Sequence, residues 1–443
     1  MSERQIGTLF VGVDVGTSGV RAVAVDETGA LRAQVRVALP APERDGARIT
    51  QDPALWWAAV SRALDGLLDT IDRQAVVALA VDGTSGSLLL TDAHGEPLSA
   101  GWMYNEASCE AEAARVAAIA PADSAARGLS SPLARLLHLQ AQHPDAAHAL
   151  HQADWIACRL TDRYGHSDEN NALKLGYDVV NRCWPAWFGP LGVRPGLLPT
   201  VQPPGSVMGR IAPAIVQRFG LRPEVLVGAG TTDGVAAFLA TGAKRVGDAV
   251  TSLGSTLVIK QLSDRPVFAP AYGIYSHRLG DLWLPGGASN SGGAALLRFF
   301  SAEQMTALTP QLRPDEATGL RYYPLPGTGE RFPVNDPALQ AITEPRPVDD
   351  ARFFQGLLEG VAAVEQQAFE RLAELGAPRL TRVLSVGGGA KNAAWTQIRQ
   401  RALGVPVCTP AHDEAAVGAA RLARQAWQSL QQASQPDDPE ATP

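Results

Sequence analysis

The stretch from Phe10 to Asp26 constrains the fold of this chain more than any other. It reads Phe-Val-Gly-Val-Asp-Val-Gly-Thr-Ser-Gly-Val-Arg-Ala-Val-Ala-Val-Asp, so an apolar run stands on each side of a short Gly-Thr-Ser-Gly segment. This pattern predicts two strands joined by a tight turn, which is a β-hairpin. Asp14 lies near the end of the first strand, where a carboxylate is costly to bury unless a cation pairs with it.

The turn of this hairpin suits a bound phosphate. Gly16 and Gly19 let the backbone approach a ligand closely, and Thr17 and Ser18 add two hydroxyl groups. A magnesium ion would pair with Asp14. An ordinary hairpin whose aspartate caps its own turn explains the same residues equally well, so this stretch alone leaves both interpretations open.

Composition limits the classes of protein to which the chain can belong. Its 443 residues are 46% hydrophobic, enough for two or three domains with sizeable cores. The net charge of -7 argues against nucleic acid as a partner. No apolar stretch is long enough to span a membrane, and the four cysteines show no metal-binding or disulfide spacing. We therefore expect a cytoplasmic protein with ordinary thiols and no membrane partner.

Strands alternate with helices along the chain, which predicts an α/β fold. In the first half, residues 106–165 are alanine-rich and typical of helices. Strands are predicted over 31–39, 76–81 and 225–229, and helices over 53–71 and 235–240. In the second half, a strand over 248–253, a turn at Gly254, Ser255 and Thr256, and a strand over 257–261 repeat the plan of the opening hairpin. The chain is therefore predicted to have two halves with one plan.

The second half continues with alternating elements to residue 430. Helices are predicted over 353–375, 393–403 and 414–430, and strands over 383–386 and 405–408. We expect an N-terminal domain over 1–242, a C-terminal domain over 243–430, and a disordered tail over 431–443, which is rich in Gln, Asp, Pro and Ser.

Two further segments carry possible chemistry. Asp233 precedes a helix, where it can act as a general base that takes a proton from a hydroxyl attacking a γ-phosphorus; a simple helix cap is the alternative. The glycines Gly387, Gly388 and Gly389 let a flat ring approach the backbone, and Asn392 is expected to be free to hydrogen-bond an adenine. The chain has neither a GxxxxGK[ST] phosphate loop nor a GxGxxG dinucleotide fingerprint.

Four motifs occur in an order that resembles the FGGY family of carbohydrate kinases. They are Asp14-Val-Gly-Thr-Ser18, Gly230-Thr-Thr-Asp233-Gly234, Thr251-Ser-Leu-Gly-Ser-Thr256 and Gly387-Gly-Gly-Ala-Lys-Asn392-Ala-Ala-Trp395. The resemblance covers roughly residues 8 to 425. It implies a two-domain actin-like sugar-kinase ATPase fold, built from duplicated ribonuclease H-like domains with ATP in an interdomain cleft.

The resemblance also implies roles for individual residues. Asp233 would be the catalytic base, and Asp14 and Asp233 would hold Mg²⁺. The sugar would be bound by Asp14, Thr17, Ser18, Gly19, Thr84, Ser85, Asn105, Lys174 and Asp233. ATP would be bound by Gly16, Thr17, Gly254, Ser255, Thr256, Gly292, Gly387, Gly388, Gly389 and Asn392. Glu106 would reach the sugar hydroxyls together with Asn105, as the matching pair does in relatives. For some of these residues a plainer role stays open: Lys174 as a solvated lysine, Thr84 and Ser85 as turn residues, and the pair Asn105-Glu106 as part of a helix cap.

Two departures from typical xylulokinases bear on the substrate. Gly234 stands where many xylulose and glycerol kinases have a glutamine, and Asp82-Gly-Thr-Ser-Gly86 replaces a glutamine-containing loop. The chain is also shorter than most members of the family. Together with the segments Asn170-Asn-Ala-Leu-Lys174-Leu-Gly-Tyr-Asp178 and Gly287-Ala-Ser-Asn-Ser-Gly-Gly293, these features resemble the compact plant and cyanobacterial D-ribulose kinases. The resemblance therefore implies phosphorylation of D-ribulose to D-ribulose 5-phosphate by a monomer or homodimer. D-xylulose or another polyol is the first alternative, and a non-enzymatic nucleotide-dependent switch of the same fold is the second.

Overall fold

The protein divides into two compact units in the computed structural model, which describes residues 7–433. The first unit contains the residues up to Ala240 together with those from Glu414 onward, and the second contains Thr241–Asp413. The division after Ala240 lies two residues from the predicted position. The segment 414–430, predicted in the second domain, makes its contacts in the first unit, because the last helix packs on the sheet of that unit.

The first unit contains most of the strands of the described chain. They are β1 (Leu9–Val15), β2 (Gly19–Asp26), β3 (Leu31–Ala38), β4 (Glu43–Asp45), β5 (Arg48–Gln51), β6 (Val76–Gly83), β7 (Leu88–Thr91), β8 (Gly101–Trp102), β9 (His148–His151), β10 (His166–Asp168), β11 (Thr200–Gln202), β12 (Val207–Arg210) and β13 (Leu226–Thr232). Its helices are α1 (Pro53–Leu68), α2 (Glu110–Ile119), α3 (Pro132–Gln142), α4 (Gln152–Thr161), α5 (Glu169–Leu175), α6 (Phe188–Leu191), α7 (Pro213–Phe219), α8 (Asp233–Ala240) and, from the end of the chain, α13 (Ala415–Ala433).

The main sheet of this unit has the strand order β12-β13-β6-β1-β2-β3. β1 and β2 form the predicted antiparallel hairpin, while β1 and β13 both pair with β6 in parallel. The central strands are buried on both faces, as is usual for parallel sheets covered by helices. One face of the sheet packs against α1 and α4, and the other face packs against α13. Because β1, β6 and β13 are parallel, their carboxyl ends lie at one edge of the sheet.

Two glycines bring α13 into direct backbone contact with its neighbours. A Cβ atom at Gly12 would lie 1.9 Å from the carbonyl oxygen of Ala416, and one at Gly418 would lie 1.9 Å from that of Ala236. No other residue fits these contacts, because any side chain carbon would overlap a backbone atom. The close packing fixes α8, whose first residue is Asp233, against α13 and hence against the sheet.

A second sheet in the first unit has the order β4-β5-β8-β7-β9, and β10 pairs with β11. The prediction of helices alone over 106–165 was partly wrong. This segment forms α2, α3 and α4, but β9 separates α3 from α4 because Ala149 and Leu150 pair with Leu90 and Leu89 of β7.

The second unit repeats the arrangement around the opening hairpin. Its strands are β14 (Asp248–Leu253), β15 (Leu257–Gln261), β16 (Ser276–Leu279), β17 (Leu282–Ser289), β18 (Arg382–Val386) and β19 (Val407–Cys408), and its helices are α9 (Gly293–Leu296), α10 (Ala302–Leu308), α11 (Asp350–Glu374) and α12 (Ala393–Leu403). β14 pairs with β15 in antiparallel fashion and with β18 in parallel, as β1 does with β2 and β6. The predicted repeat of one plan is confirmed.

Most differences from the predicted elements lie at their ends. α11 begins at Asp350 rather than 353 because the Asp349 side chain caps it, and the last strand is shorter than predicted. Residues 431–433 of the predicted disordered tail continue α13, and 434–443 lie outside the described residues. All four cysteines are free. Within residues 7–433, no helix has the length and apolar character needed to cross a membrane.

Candidate active site

Three aspartates meet at the carboxyl edge of the main sheet in the first unit. Asp14 on β1 lies opposite Asp82 on β6 in the parallel register, and Thr231 on β13 lies opposite Asp82 from the other side. Asp233 follows β13 directly as the first residue of α8. Ligand sites of α/β sheets form at this edge, because the loops that leave the strands diverge there.

Asp82 is the most deeply buried of the three carboxyl groups. It has no solvent exposure, and neither carboxylate oxygen meets an N–H or hydroxyl donor among residues 7–433. Burial raises the pKa of Asp82 well above its usual range, and the charges of Asp14 and Asp233 raise it further. Burial and the two neighbouring carboxylates therefore both favour the protonated form of Asp82.

Asp14 keeps a charge that its surroundings only partly compensate. Burial raises the pKa of Asp14 to about 6, and the charge of Asp233 also raises it. The hydrogen bond from Asp82 and the guanidinium groups of Arg21 and Arg36 oppose this rise without cancelling it. The raised pKa of Asp14 thus reflects the free-energy cost that the sequence predicted for burying this carboxylate.

The cluster Asp14, Asp82 and Asp233, which we name the acidic edge, has a donor set suited to Mg²⁺. Magnesium binds carboxylate oxygens and usually retains several waters. A divalent cation would offset the mutual repulsion that raises the pKa values of Asp14 and Asp82. The residues present therefore fit the ion.

Asp233 is partly exposed and lies at the start of a helix, where a negative charge is favoured. Its carboxylate is half-buried, and Oδ1 accepts a 2.6 Å hydrogen bond from the backbone N–H of Gly234. The partial positive charge at the start of α8 stabilises the carboxylate form. The helix start expected for Asp233 is confirmed, although Asp233 is the first helical residue and not the residue before it.

The hairpin turn has the predicted compact shape. The N–H of Gly16 donates to the carbonyl of Gly19 at 3.0 Å, closing the turn at the end of β1 that carries Asp14. Ser18 is exposed, while Gly16, Thr17 and Gly19 are half-buried. The half-buried residues of this turn therefore directly follow the end of β1 that carries Asp14.

The loop after β6 is held by a residue that sequence analysis did not select. The backbone N–H and the hydroxyl of Thr84 both donate to Oε1 of Gln152, at 3.0 and 2.7 Å, and the hydroxyls of Thr84 and Ser87 lie 2.6 Å apart. The buried Ser85 hydroxyl and Gln152 Nε2 have no hydrogen-bond partner among the described residues. These two groups are therefore better placed than the Thr84 hydroxyl to form hydrogen bonds with a polar ligand.

The other two predicted sugar contacts differ in exposure. Asn105 is exposed, whereas the adjacent Glu106 is fully buried. Glu106 Oε1 accepts a hydrogen bond from the N–H of Ser108, but Oε2 lacks a partner within the described chain. Lys174 is half-buried in the last turn of α5.

The second unit contains an apolar pocket of about 600 Å³ beside its glycine-rich loops. Five predicted ATP-binding residues line it: Gly254, Ser255, Gly388, Gly389 and Asn392. Apolar side chains complete the wall, among them Leu296, Met305 and Trp395. A pocket with apolar walls beside glycine-rich loops suits a planar ring.

The remaining predicted ATP-binding glycines shape these loops instead of lining the pocket. Gly292 has φ +140°, and a Cβ there would lie 2.8 Å from the backbone of Thr256. Gly387 has φ +86°, and a Cβ there would lie 2.8 Å from the carbonyl oxygen of Leu253. Both positions require glycine, because the backbone is left-handed and the neighbouring chain is close.

The expectation that the Asn392 side chain is free was wrong. Its Oδ1 accepts the N–H of Trp395 at 3.0 Å and so caps α12, and its Nδ2 donates to the Thr309 hydroxyl at 3.1 Å. Both atoms of the amide are therefore engaged. Asn392 lines the pocket but primarily anchors the start of α12.

Comparison with known proteins identifies two family domains that follow one another along the chain. The N-terminal domain of the FGGY family of carbohydrate kinases matches residues 9–240, and the C-terminal domain of that family matches residues 249–427. The chain belongs to this family. It is thus an ATP-dependent sugar kinase, and the alternative of a non-enzymatic switch is not supported.

Relatives of this FGGY kinase include proteins described as xylulose kinases. The one from Escherichia coli is 25% identical over 439 residues, which cover 94% of this chain and 90% of the relative. A solved structure described as a xyloylose kinase from Brucella ovis superposes with a TM-score of 0.84 at 23% identity, covering 95% of this chain and 91% of that one. A gluconate kinase from Lactobacillus acidophilus gives a TM-score of 0.81 at 20% identity, with coverage of 96% and 90%. The two solved structures establish the fold alone, since kinases named for different sugars share it.

Sequence analysis did not select Gln152, although it named Asp82 within the loop Asp82-Gly-Thr-Ser-Gly86 and Glu106 beside Asn105. Asp82 carried a signal, because it ends an apolar strand as Asp14 does. Gln152 carried none, since the Thr84 loop that it holds lies 68 residues away in the sequence.

Proposed function

We propose that this FGGY kinase phosphorylates the terminal C5 hydroxyl of a ketopentose, with D-ribulose preferred over D-xylulose. The acidic edge carries the proposal, because it places a half-buried carboxylate at a helix start beside two carboxyl groups with raised pKa values. Transfer of a phosphoryl group to an alcohol needs a group that accepts the alcohol proton and a positive charge that offsets the phosphate oxygens.

Asp233 is the group that we assign as the general base. It accepts the proton of the attacking hydroxyl while the oxygen bonds to the γ-phosphorus and the bond to the β-phosphate oxygen breaks. Its N-terminal position on α8 keeps it charged before the reaction. Mg²⁺ held by Asp14 and Asp233 would neutralise charge on the phosphate oxygens.

ATP binding is assigned to the pocket of the second unit. The adenine ring would lie against Gly388 and Gly389, since a Cβ at Gly388 would meet no atom within 4 Å and the backbone there faces open space. Backbone amides around Gly254 and Ser255 would bind phosphate oxygens without needing a charged side chain. In the first unit, the amides around Gly16 and Thr17 would do the same.

The choice of D-ribulose depends on the loop after β6. The two sugars differ in configuration at C3, so discrimination requires a group that pairs with that hydroxyl in only one epimer. The Ser85 hydroxyl and Gln152 Nε2 are buried polar groups without partners in the described residues, and a mismatch with such a group costs about 1–3 kcal/mol. D-xylulose is the second candidate, favoured by the names of the relatives.

The base is tested by the variant Asp233→Asn. This change preserves shape and removes proton affinity, so kcat should fall about 100-fold or more while sugar binding is retained. Coupled detection of ADP gives kcat, and calorimetric titration with the sugar gives its affinity. Turnover close to that of the unmodified enzyme would refute the assignment.

The sugar is tested by initial rates on D-ribulose and D-xylulose at equal, low concentrations. We expect D-ribulose to give the higher kcat/KM, by roughly 5- to 150-fold from the mismatch cost. A higher rate on D-xylulose would reject the D-ribulose assignment and leave the kinase assignment intact.

A further inference from the structure

A cysteine, a glutamate and a histidine converge where α2 meets α3, on elements that the kinase chemistry does not use. Cys109 directly precedes α2, Glu112 lies in its first turn, and His138 lies on α3. Their candidate ligand atoms all lie within 4.8 Å of one another. Nδ1 of His138 and Oε1 of Glu112 are 3.0 Å apart.

We propose that Cys109, Glu112 and His138 form a binding site for a zinc ion, which we name the α2–α3 site. Thiolate, imidazole and carboxylate are the ligands that zinc takes in proteins, whereas magnesium and calcium do not select thiolate. Zinc bonds of about 2.0 Å to nitrogen and oxygen give a tetrahedral edge of about 3.3 Å. The observed separation of 3.0 Å between the His138 and Glu112 atoms is close to that edge.

The Cys109 sulfur is buried and lies close to Ser108, Glu106 and Glu112. It precedes a helix but makes no side-chain cap hydrogen bond, it forms no disulfide, and the residue is only 2% exposed. Glu106 and Glu112 place negative charge beside it, and Arg135 supplies the opposing positive charge. A bound divalent cation would compensate this excess of carboxylates, and the thiol proton would pass to solvent as the sulfur–zinc bond forms.

The histidine ring is already oriented for a metal at Nδ1. Its Nε2 lies 3.0 Å from the side-chain amide of Gln142, and its ring packs on Trp102 with centroids 5.3 Å apart. With zinc on Nδ1, the Nε2–H group would donate to the amide oxygen of Gln142 after rotation of that amide. Such an outer partner is typical of metal-binding histidines.

The site is open to solvent on one side. The side chains of Glu112 and His138 are 21% and 34% exposed, so an ion can enter between them. Three protein ligands leave the fourth tetrahedral position to water. Zinc would thus link α2 to α3 and stabilise the first unit.

The experiment is a Co²⁺ titration of the full chain in excess Mg²⁺, which occupies the acidic edge. Co²⁺ replaces Zn²⁺ in such sites, and its bond to a thiolate gives a charge-transfer band that carboxylates alone do not give. We expect one equivalent of Co²⁺ to produce this band, and one equivalent of Zn²⁺ to abolish it and raise the melting temperature.

Variants decide which residues hold the ion. Cys109→Ser should remove the band, and Glu112→Gln and His138→Asn should each weaken Zn²⁺ binding at least 10-fold. Cys158→Ser is the matched control, since Cys158 is also a buried free thiol of the first unit. Glu112→Gln changes a partly exposed side chain and keeps the test valid if Cys109→Ser fails to fold. The proposal is overturned if the unmodified protein shows no thiolate band, or if the band survives in Cys109→Ser.

Discussion

Replacing Asp82 by asparagine should stabilise the ligand-free protein, and the gain should grow with pH. Asp82 is fully buried beside Asp14, and its pKa is well above the usual range. Asparagine has the same shape and can donate an N–H to Asp14 in place of the carboxyl hydrogen. The change therefore removes only the free-energy cost of keeping the Asp82 carboxyl protonated in the native state.

The sign of this pH dependence follows from the number of protons that the native and unfolded states bind. Above about pH 3.9 the unfolded chain releases the Asp82 proton, while the native state retains it until its own, higher pKa. The native state binds the extra proton, so the free energy of unfolding of the unmodified protein falls as pH rises. Asp14, with a pKa of about 6, lowers the free energy of unfolding further between about pH 4 and 6. This contribution is present in both proteins, so it does not enter the difference between them.

The expected difference in free energy of unfolding is about 1.4 kcal/mol per pH unit, the value for one proton. For a unit of this size it corresponds to a gain of about 3–6 °C in melting temperature per pH unit. Thermal unfolding of both proteins at several pH values, without Mg²⁺ or nucleotide, measures it. Asp45→Asn is the control, because Asp45 is an exposed carboxylate on β4.

The result that refutes this reasoning is a melting-temperature difference that stays constant with pH. A variant less stable than the unmodified protein at neutral pH would also refute it, since the Asp82 carboxyl would then be charged and paired in the native state.

Two further predictions concern the second unit. Gly388→Val should raise the KM for ATP at least 10-fold without lowering the melting temperature, because a Cβ at this pocket-lining position meets no heavy atom within 4 Å. An unchanged KM would place the nucleotide elsewhere. Arg399→Met should destabilise the protein by about 3–5 kcal/mol, because it leaves the fully buried Glu365 carboxylate without its bidentate partner. Adding Glu365→Gln should recover part of that loss in urea unfolding, and a double variant no more stable than the single one would contradict the pairing.

Several features followed from the sequence because the interactions behind them are local. The two hairpins, the helix start at Asp233 and the turn at Gly387 depend on residues within a few positions of one another, where glycines and alternating apolar residues leave few backbone choices. The order of the four motifs was enough to indicate the family. The cap residue Asp52 acts only two positions along the chain, on the N–H of Ala54.

Tertiary structure decided everything that joins distant segments. The pairing of Asp14 with Asp82 required β1 and β6 to be neighbours, and the placement of α13 in the first unit required Gly418 to meet the backbone of α8 and Gly12 of β1 to meet the backbone of α13. The hydrogen bond from Thr84 to Gln152 and the proximity of Cys109 to His138 likewise join separate elements. Sequence patterns report which face of an element is apolar, but the neighbour that covers it is selected by packing of the whole unit, and the pKa of a buried carboxyl depends on that neighbour.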